Sequence, residues 1–270
     1  MANTKNSNQE LAKLFSDYLV TGDEKSLTKF LVSECNLPGP RGNLGLASEF
    51  IELVEINFSR DPKRLWTFCT KAISISAVEA PVNDPKEFLP FCGAYAIGAI
   101  GSVSPAFFSK ALFRLRELSE DPRWRTREAV AMGIQKMLGR KPEETMRALE
   151  GWIESNNWLV MRAIVAGVAE PLLLRNTQTA RKALEIHKKI IAKILVAKER
   201  KSYEFKTMRK GLGYTLSVVV WGIPQEGFKY INKIAGSKDA DVLWIVKQNL
   251  GKKRLSKNFP DEVASLRKLC

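Results

Sequence analysis

The chain is short of metal-site and redox residues. It has one histidine, His187, and four cysteines, Cys35, Cys69, Cys92 and Cys270, in 270 residues. No two cysteines stand in C-x-x-C spacing, which removes the pattern of a structural zinc or dithiol redox site. One histidine cannot build a His-rich centre, so neither a metal nor a cofactor is expected. His187 lies in a lysine-rich stretch and reads as an ordinary surface residue. No P-loop, dinucleotide-binding glycine fingerprint or G-x-S-x-G elbow is present. No long alternation of apolar and polar residues marks a strand. The opening "MANTKNSNQE" lacks signal-peptide character and predicts a frayed polar tail. Free thiols without such a signal predict a cytoplasmic protein.

One long run lacks charge. From Leu89 to Phe108, "LPFCGAYAIGAIGSVSPAFF", 20 residues carry none, a length that can span a bilayer. The run is broken by glycines and by Ser104-Pro105, which reads as a helix cap followed by a first helical residue. It therefore predicts two buried helices with a turn between them, and no membrane partner. "GLGYTLSVVVWGI" at 211–223 is too short to span and reads as a core helix. "NLPGPRGNLGLASEF" at 36–50 reads as a turn that excludes helix at Pro38-Gly39-Pro40, with Asn43 capping the next helix. Arg41 in that turn has the chemistry to bind an anion.

Charge is abundant but lopsided. Lys and Arg number 43 against 29 acids, a net charge of +14. Residues 181–210 carry +8 and residues 247–257 carry +5, whereas residues 1–180 carry only +1. A basic excess confined to one half is the footprint of a phosphate-bearing or acidic partner, or else a solvated face that maintains solubility.

A pattern recurs along the chain. "REAVA" at Arg127 returns as "RAIVA" at Arg162, "RKGLG" at Arg209 and "KQNLG" at Lys247. Asp121, Asn156 and Asp241 lie six residues before three of these basic positions; Trp124, Trp158 and Trp244 lie three or four before them. Asp121-Pro122 reads as a cap with proline at the first helical position. Val130, Ile134 and Met137 form an apolar stripe, and Ala131 and Gly133 permit close helix approach. A lone helical hairpin cannot bury its apolar face, so copies must stack. The pattern resembles the HEAT and armadillo-like repeat families. That resemblance implies an all-α HEAT-like solenoid, a right-handed superhelix of antiparallel helix pairs. Its expected organisation is a helical cap over 1–80, repeats over 81–258 and a tail over 259–270.

In a solenoid, equivalent positions align. Arg127, Arg162, Arg209 and Lys247 are then expected to form a basic ladder, either bonded to the aspartates of adjacent repeats or tracking a phosphodiester backbone. Lys182, Lys189 and Lys193 run along one face of the helix near 181–197, whose buried stripe is Ala183, Ile186, Ile190 and Ile194. Tyr203 and Phe205 lie among basic residues, an arrangement suited to base stacking or to anchoring the segment. Trp124, Trp158 and Trp244 read as packing anchors or base platforms. These residues predict a basic groove for nucleic acid, DNA in the first place, or for an acidic protein segment.

"WRTRE" carries a second resemblance. Trp124 and Glu128 share one helical face, as do the Trp and acidic catalytic residue of the AlkD- and AlkC-like alkylpurine DNA glycosylases. The resemblance implies that Trp124 touches deoxyribose and that Glu128 stabilises oxocarbenium-like charge without a metal. Those enzymes carry Asp at the acidic position, and their second Trp matches either Trp158 or Trp244. The alternative for Glu128 is an ion pair, either with Arg125 three residues earlier or with a basic residue of an adjacent helix.

Overall fold

A computed structural model describes residues 2–269, with side chains from Ser7 onward. The described residues form fifteen α-helices and two short 3-10 helices, Pro85–Glu87 and Leu173–Arg175, with no strand. The all-α expectation holds. Among the described residues no helix is long and apolar enough to cross a membrane. The chain divides into two compact units, Met1–Arg140 and Lys141–Cys270.

The first unit holds α1 (Ala2–Thr21), α2 (Lys25–Ser33), α3 (Leu44–Asn57), α4 (Pro62–Ser74), α5 (Phe88–Val103), α6 (Pro105–Leu118) and α7 (Trp124–Arg140). The uncharged run becomes α5 and the start of α6, joined at Ser104 and Pro105 as the sequence predicts. Ser104 makes no side-chain cap bond, however, and of this run only α5 is buried, Pro105 and Ala106 of α6 being exposed. Helix α5 is buried on nearly every side because α3, α4, α6 and α7 pack around it. This explains a run that is apolar without periodicity. Small residues let α7 approach it closely, with Gly133 lying directly against Gly98. The opening decapeptide is no tail: from Ala2 it is continuous with α1. That helix docks further along through buried Leu11, Phe15 and Tyr18.

The second unit holds α8 (Pro142–Ile153), α9 (Trp158–Val168), α10 (Thr177–Val196), α11 (Tyr203–Gly222), α12 (Pro224–Ala235), α13 (Ala240–Leu250), α14 (Lys253–Ser256) and α15 (Pro260–Arg267). Helices α9, α11 and α13 lie side by side, each packed on the helix that precedes it. Buried Asn249 joins two of them: its amide donates to the Leu212 carbonyl at 2.8 Å, and its oxygen accepts from the Ser217 N–H at 2.7 Å. The stripe Ala183, Ile186, Ile190 and Ile194 is buried as the spacing predicts.

Local chemistry explains the helix starts. Prolines open α4, α6, α8, α12 and α15, where the missing N–H has no intrahelical partner to lose. Asn43, Asp61, Asn157, Asn176, Ser202 and Asp239 cap through their side chains. The repeat positions themselves cap less than expected. Asp121 holds the backbone N–H and guanidinium of Arg123 instead, at 2.8 and 2.7 Å. Asn156 adopts a left-handed backbone (φ 53°), leaving the cap to Asn157. Asp241 lies inside the first turn of α13, and Asp239 caps it.

Candidate functional sites

The first unit contains a cavity of about 320 Å³ lined by Pro40, Arg41, Gly42, Leu44, Phe88, Phe91, Trp124, Arg125, Glu128 and Met132. Trp124 and Glu128 therefore share one wall, as one turn of helix requires. Trp124 is 42% exposed and Glu128 is half-buried. Phe88 and Phe91 are buried and stacked, with centroids 5.8 Å apart. Arg41, on the loop before α3, also lines the cavity and is exposed.

The walls are held by a residue whose partner is remote in sequence. Arg125 is buried, and its guanidinium ion-pairs with fully buried Glu87 at 2.9 Å. It also donates to the Gly39 carbonyl at 2.6 Å and to the Asn83 side chain at 2.8 Å, and it lies 4.4 Å from the Trp124 ring centroid. One side chain thus fixes both the aromatic wall and the loop. The expected Arg125–Glu128 pair gives way to this arrangement, because the guanidinium points inward to a desolvated carboxylate. Asn43 closes the same loop. It caps Leu46 at 3.1 Å, donates from its side chain to the Glu34 carbonyl at 2.8 Å and from its backbone to the Cys35 carbonyl at 2.8 Å.

The repeated basic residues differ from one another. Arg127 is buried and donates to the Asp121 and Pro122 carbonyls, the latter at 3.0 Å. Arg162 is buried, with its aliphatic stem against Gly211. Arg209 pairs with Asp241, an Asp–Arg contact between neighbouring helices of the expected kind, and lies 4.5 Å from the Trp244 centroid. Lys247 is exposed. Trp158 packs edge-on against Phe205 at 5.2 Å, and Trp244 sits on Gly213. Both serve as packing anchors in this unit, and Phe205 belongs to the core while Tyr203 is exposed.

The lysine face of α10 has a counterpart on α8. Lys182 pairs with Glu143, Lys189 with Glu150 at 3.8 Å, and Lys193 with Glu154 at 3.5 Å and with Asn156 at 2.8 Å. The glutamates repeat the lysines' steps of seven and four residues. That shared spacing is visible in the sequence and was the available signal for this pairing. Arg181 pairs with Glu226, and Lys188 with Glu185.

His187 is fully buried, not a surface residue. Nδ1 is 2.8 Å from the Ala183 carbonyl and Nε2 is 2.9 Å from the Thr215 hydroxyl. A carbonyl only accepts, so Nδ1 carries the proton and Nε2 accepts from Thr215. Burial pushes its pKa down to about 4, keeping the ring neutral. Cys35, Cys69 and Cys92 are buried free thiols, and Cys270 lies outside the described residues. Burial raises the Cys69 thiol to about 12 and the Cys92 thiol well above its usual range, which suppresses the nucleophilic thiolate. Among the described residues, no three His, Cys, Asp or Glu side chains stand together in a way that could hold a metal ion.

No protein-family model matches the chain, and no curated protein matches it. The fold and sites define an all-α protein with an aromatic cavity in one unit and a basic, helix-built second unit.

Proposed function

We propose that the chain is a HEAT-like helical-repeat protein whose second unit binds a nucleic-acid strand. One observation carries this reading: α11 exposes Tyr203, Lys206, Lys210 and Tyr214 at helical steps along one face, with Tyr203 at 58% and Tyr214 at 40% exposure. Exposed Lys247 stands three residues beyond Trp244 on the adjacent α13. Aromatic faces accept stacked bases of any sequence, and interleaved lysines neutralise phosphates. The α10 lysines contribute less than their number suggests, since glutamates of α8 already meet them.

The test is fluorescence anisotropy with a labelled oligothymidine of roughly fifteen nucleotides, a typical span for this mode, across a salt series. Binding should weaken steeply with salt. Removing two phosphate contacts in the Lys206→Glu/Lys210→Glu variant should flatten the logarithmic salt slope by about 1.4. An unchanged slope, or tighter binding of a polyglutamate peptide than of the oligomer, rejects the reading.

A second reading concerns the first unit: excision of alkylated purines in the manner of the AlkD- and AlkC-like glycosylases. What favours it is that Trp124 and Glu128 line one cavity. The glycosidic bond would break with its electron pair leaving on the cationic base, Glu128 would stabilise the charge left on the sugar, and water would complete the step. Release of free methylated base from methylated DNA, lost in Glu128→Gln, is the expected result. No release by the unaltered chain removes this reading.

A further inference from the structure

We propose that the groove between α10 and α12 docks an acidic amphipathic helix of a partner protein. This goes beyond strand binding by α11 and does not depend on it. Helices α10 and α12 both pack on α11 and leave a cavity of about 710 Å³ between them, all within the second unit. Its floor is apolar, with Ile191 and Leu195 from α10 and Tyr230 and Ile234 from α12. Leu195 is 50% exposed, and Val196, the next residue, is 79% exposed. Removing such a surface from water is favourable. An exposed apolar patch rimmed by polar groups is the usual mark of a docking surface.

Charge on the rim selects the partner. Lys188 of α10 and Lys229 and Lys233 of α12 line the groove. Glu226 lines it too, but Arg181 holds its carboxylate at 2.7 Å. Lys188 meets Glu185 at 2.7 Å and stands 5.6 Å from the Tyr230 ring centroid. Lys229 and Lys233 are exposed, and among the described residues no acid pairs with either. Four residues apart on one helix, they follow one another along the rim at about 6 Å, the separation of acids at i and i+4 on a facing helix. Tyr230 is only 9% exposed, and its hydroxyl makes no hydrogen bond among the described residues. A hydroxyl in that state is left to donate to an incoming carboxylate. A helix whose apolar stripe is flanked by glutamates meets all these groups at once, with leucines on the floor and carboxylates on the lysines and the phenol. A bare polyanion would leave the floor uncovered, and an uncharged apolar helix would leave the lysines unpaired.

The test is fluorescence anisotropy on the full chain with a labelled helical peptide of leucine, alanine and glutamate. The peptide has about fifteen residues, roughly four turns, with leucines at three- and four-residue steps and glutamates beside them. At about 0.15 M salt it should bind at least about tenfold tighter than the same residues in scrambled order, and than a version with glutamine for glutamate. Lys229→Glu/Lys233→Glu should weaken the patterned peptide about tenfold, and Leu195→Asp about fivefold. Both variants change exposed positions, and circular dichroism checks that they fold. Lys13→Glu/Lys63→Glu makes the same charge change on exposed lysines of α1 and α4 and should stay within about twofold of the unaltered chain. Equal affinity for the scrambled peptide, equal loss in both charge-reversed variants, or no binding of the patterned peptide at about a hundred micromolar overturns the proposal. Phosphatidylglycerol vesicles captured through Lys229 and Lys233, with the peptide left unbound, would make the occupant a membrane and overturn it as well.

Discussion

Gly98 of α5 and Gly133 of α7 cross so closely that a Cβ on Gly98 would lie 2.2 Å from the Gly133 Cα. The obstacle is backbone, so neither rotamer change nor a flexible side chain can relieve it. Gly98→Ala should force the two helices apart and cost about 1–3 kcal/mol or more, the range for overpacked cores. Gly151 makes the control, since a Cβ there meets nothing within 4 Å. Gly151→Ala should gain up to about 1 kcal/mol from helix propensity. Urea unfolding of both variants checks the contrast, and equal effects would reject the close crossing.

His187 predicts a pH dependence of stability. The unfolded chain takes up a proton near the ordinary histidine pKa of about 6.5, whereas the folded chain does so only near 4. Protonation therefore favours the unfolded state. The contribution is fully present above pH 6.5 and is lost as pH falls towards 4. It should amount to about 2 kcal/mol between pH 7 and pH 5. In His187→Gln this component should disappear from the difference between unfolding curves at the two pH values. A slope that persists undiminished assigns the effect to other groups.

Breaking the buried Glu87–Arg125 pair leaves a guanidinium without its desolvated counter-charge. Glu87→Ala should cost about 3–5 kcal/mol. It should also loosen the loop, because Arg125 holds the Gly39 carbonyl. Hydrogen exchange at residues 39–42 should accelerate more than in the remote core around Ile190. Uniform acceleration across the chain would mean that the pair supports the fold in general and not the cavity wall.

The α8–α10 ladder should behave as an exposed electrostatic contact. Lys189→Glu alone places like charges at Glu150 and should destabilise modestly, on the order of 1 kcal/mol at low salt. Adding Glu150→Lys restores opposite charges and should recover most of that loss. Both effects should shrink as salt is raised. A double variant no more stable than Lys189→Glu would mean that the pair does not interact in solution.

Much of the local structure is legible in residue order. Pro62, Pro105, Pro142, Pro224 and Pro260 each mark a helix start, and the stripe Ala183, Ile186, Ile190, Ile194 predicts its own burial. These are properties of a backbone over a few residues, where steric limits and helical period leave few alternatives. Trp124 and Glu128 share a face for the same reason. The roles of charged side chains were far less legible. Arg123, Arg125 and Arg127 stand at alternate positions, yet each engages a different group. Arg123 binds Asp121, Arg125 binds Glu87, and Arg127 binds the Asp121 and Pro122 carbonyls.

Composition and periodicity thus determine by themselves that this chain is all-α, where its proline-led helices begin and which faces turn inward. Tertiary structure alone decides that His187 is buried and that Arg125 turns from Glu128 to Glu87. The reason is range. Helix formation is satisfied within one or two turns, whereas an ionic side chain pairs with whatever charge another segment brings within a few ångströms, and that depends on how separate helices pack.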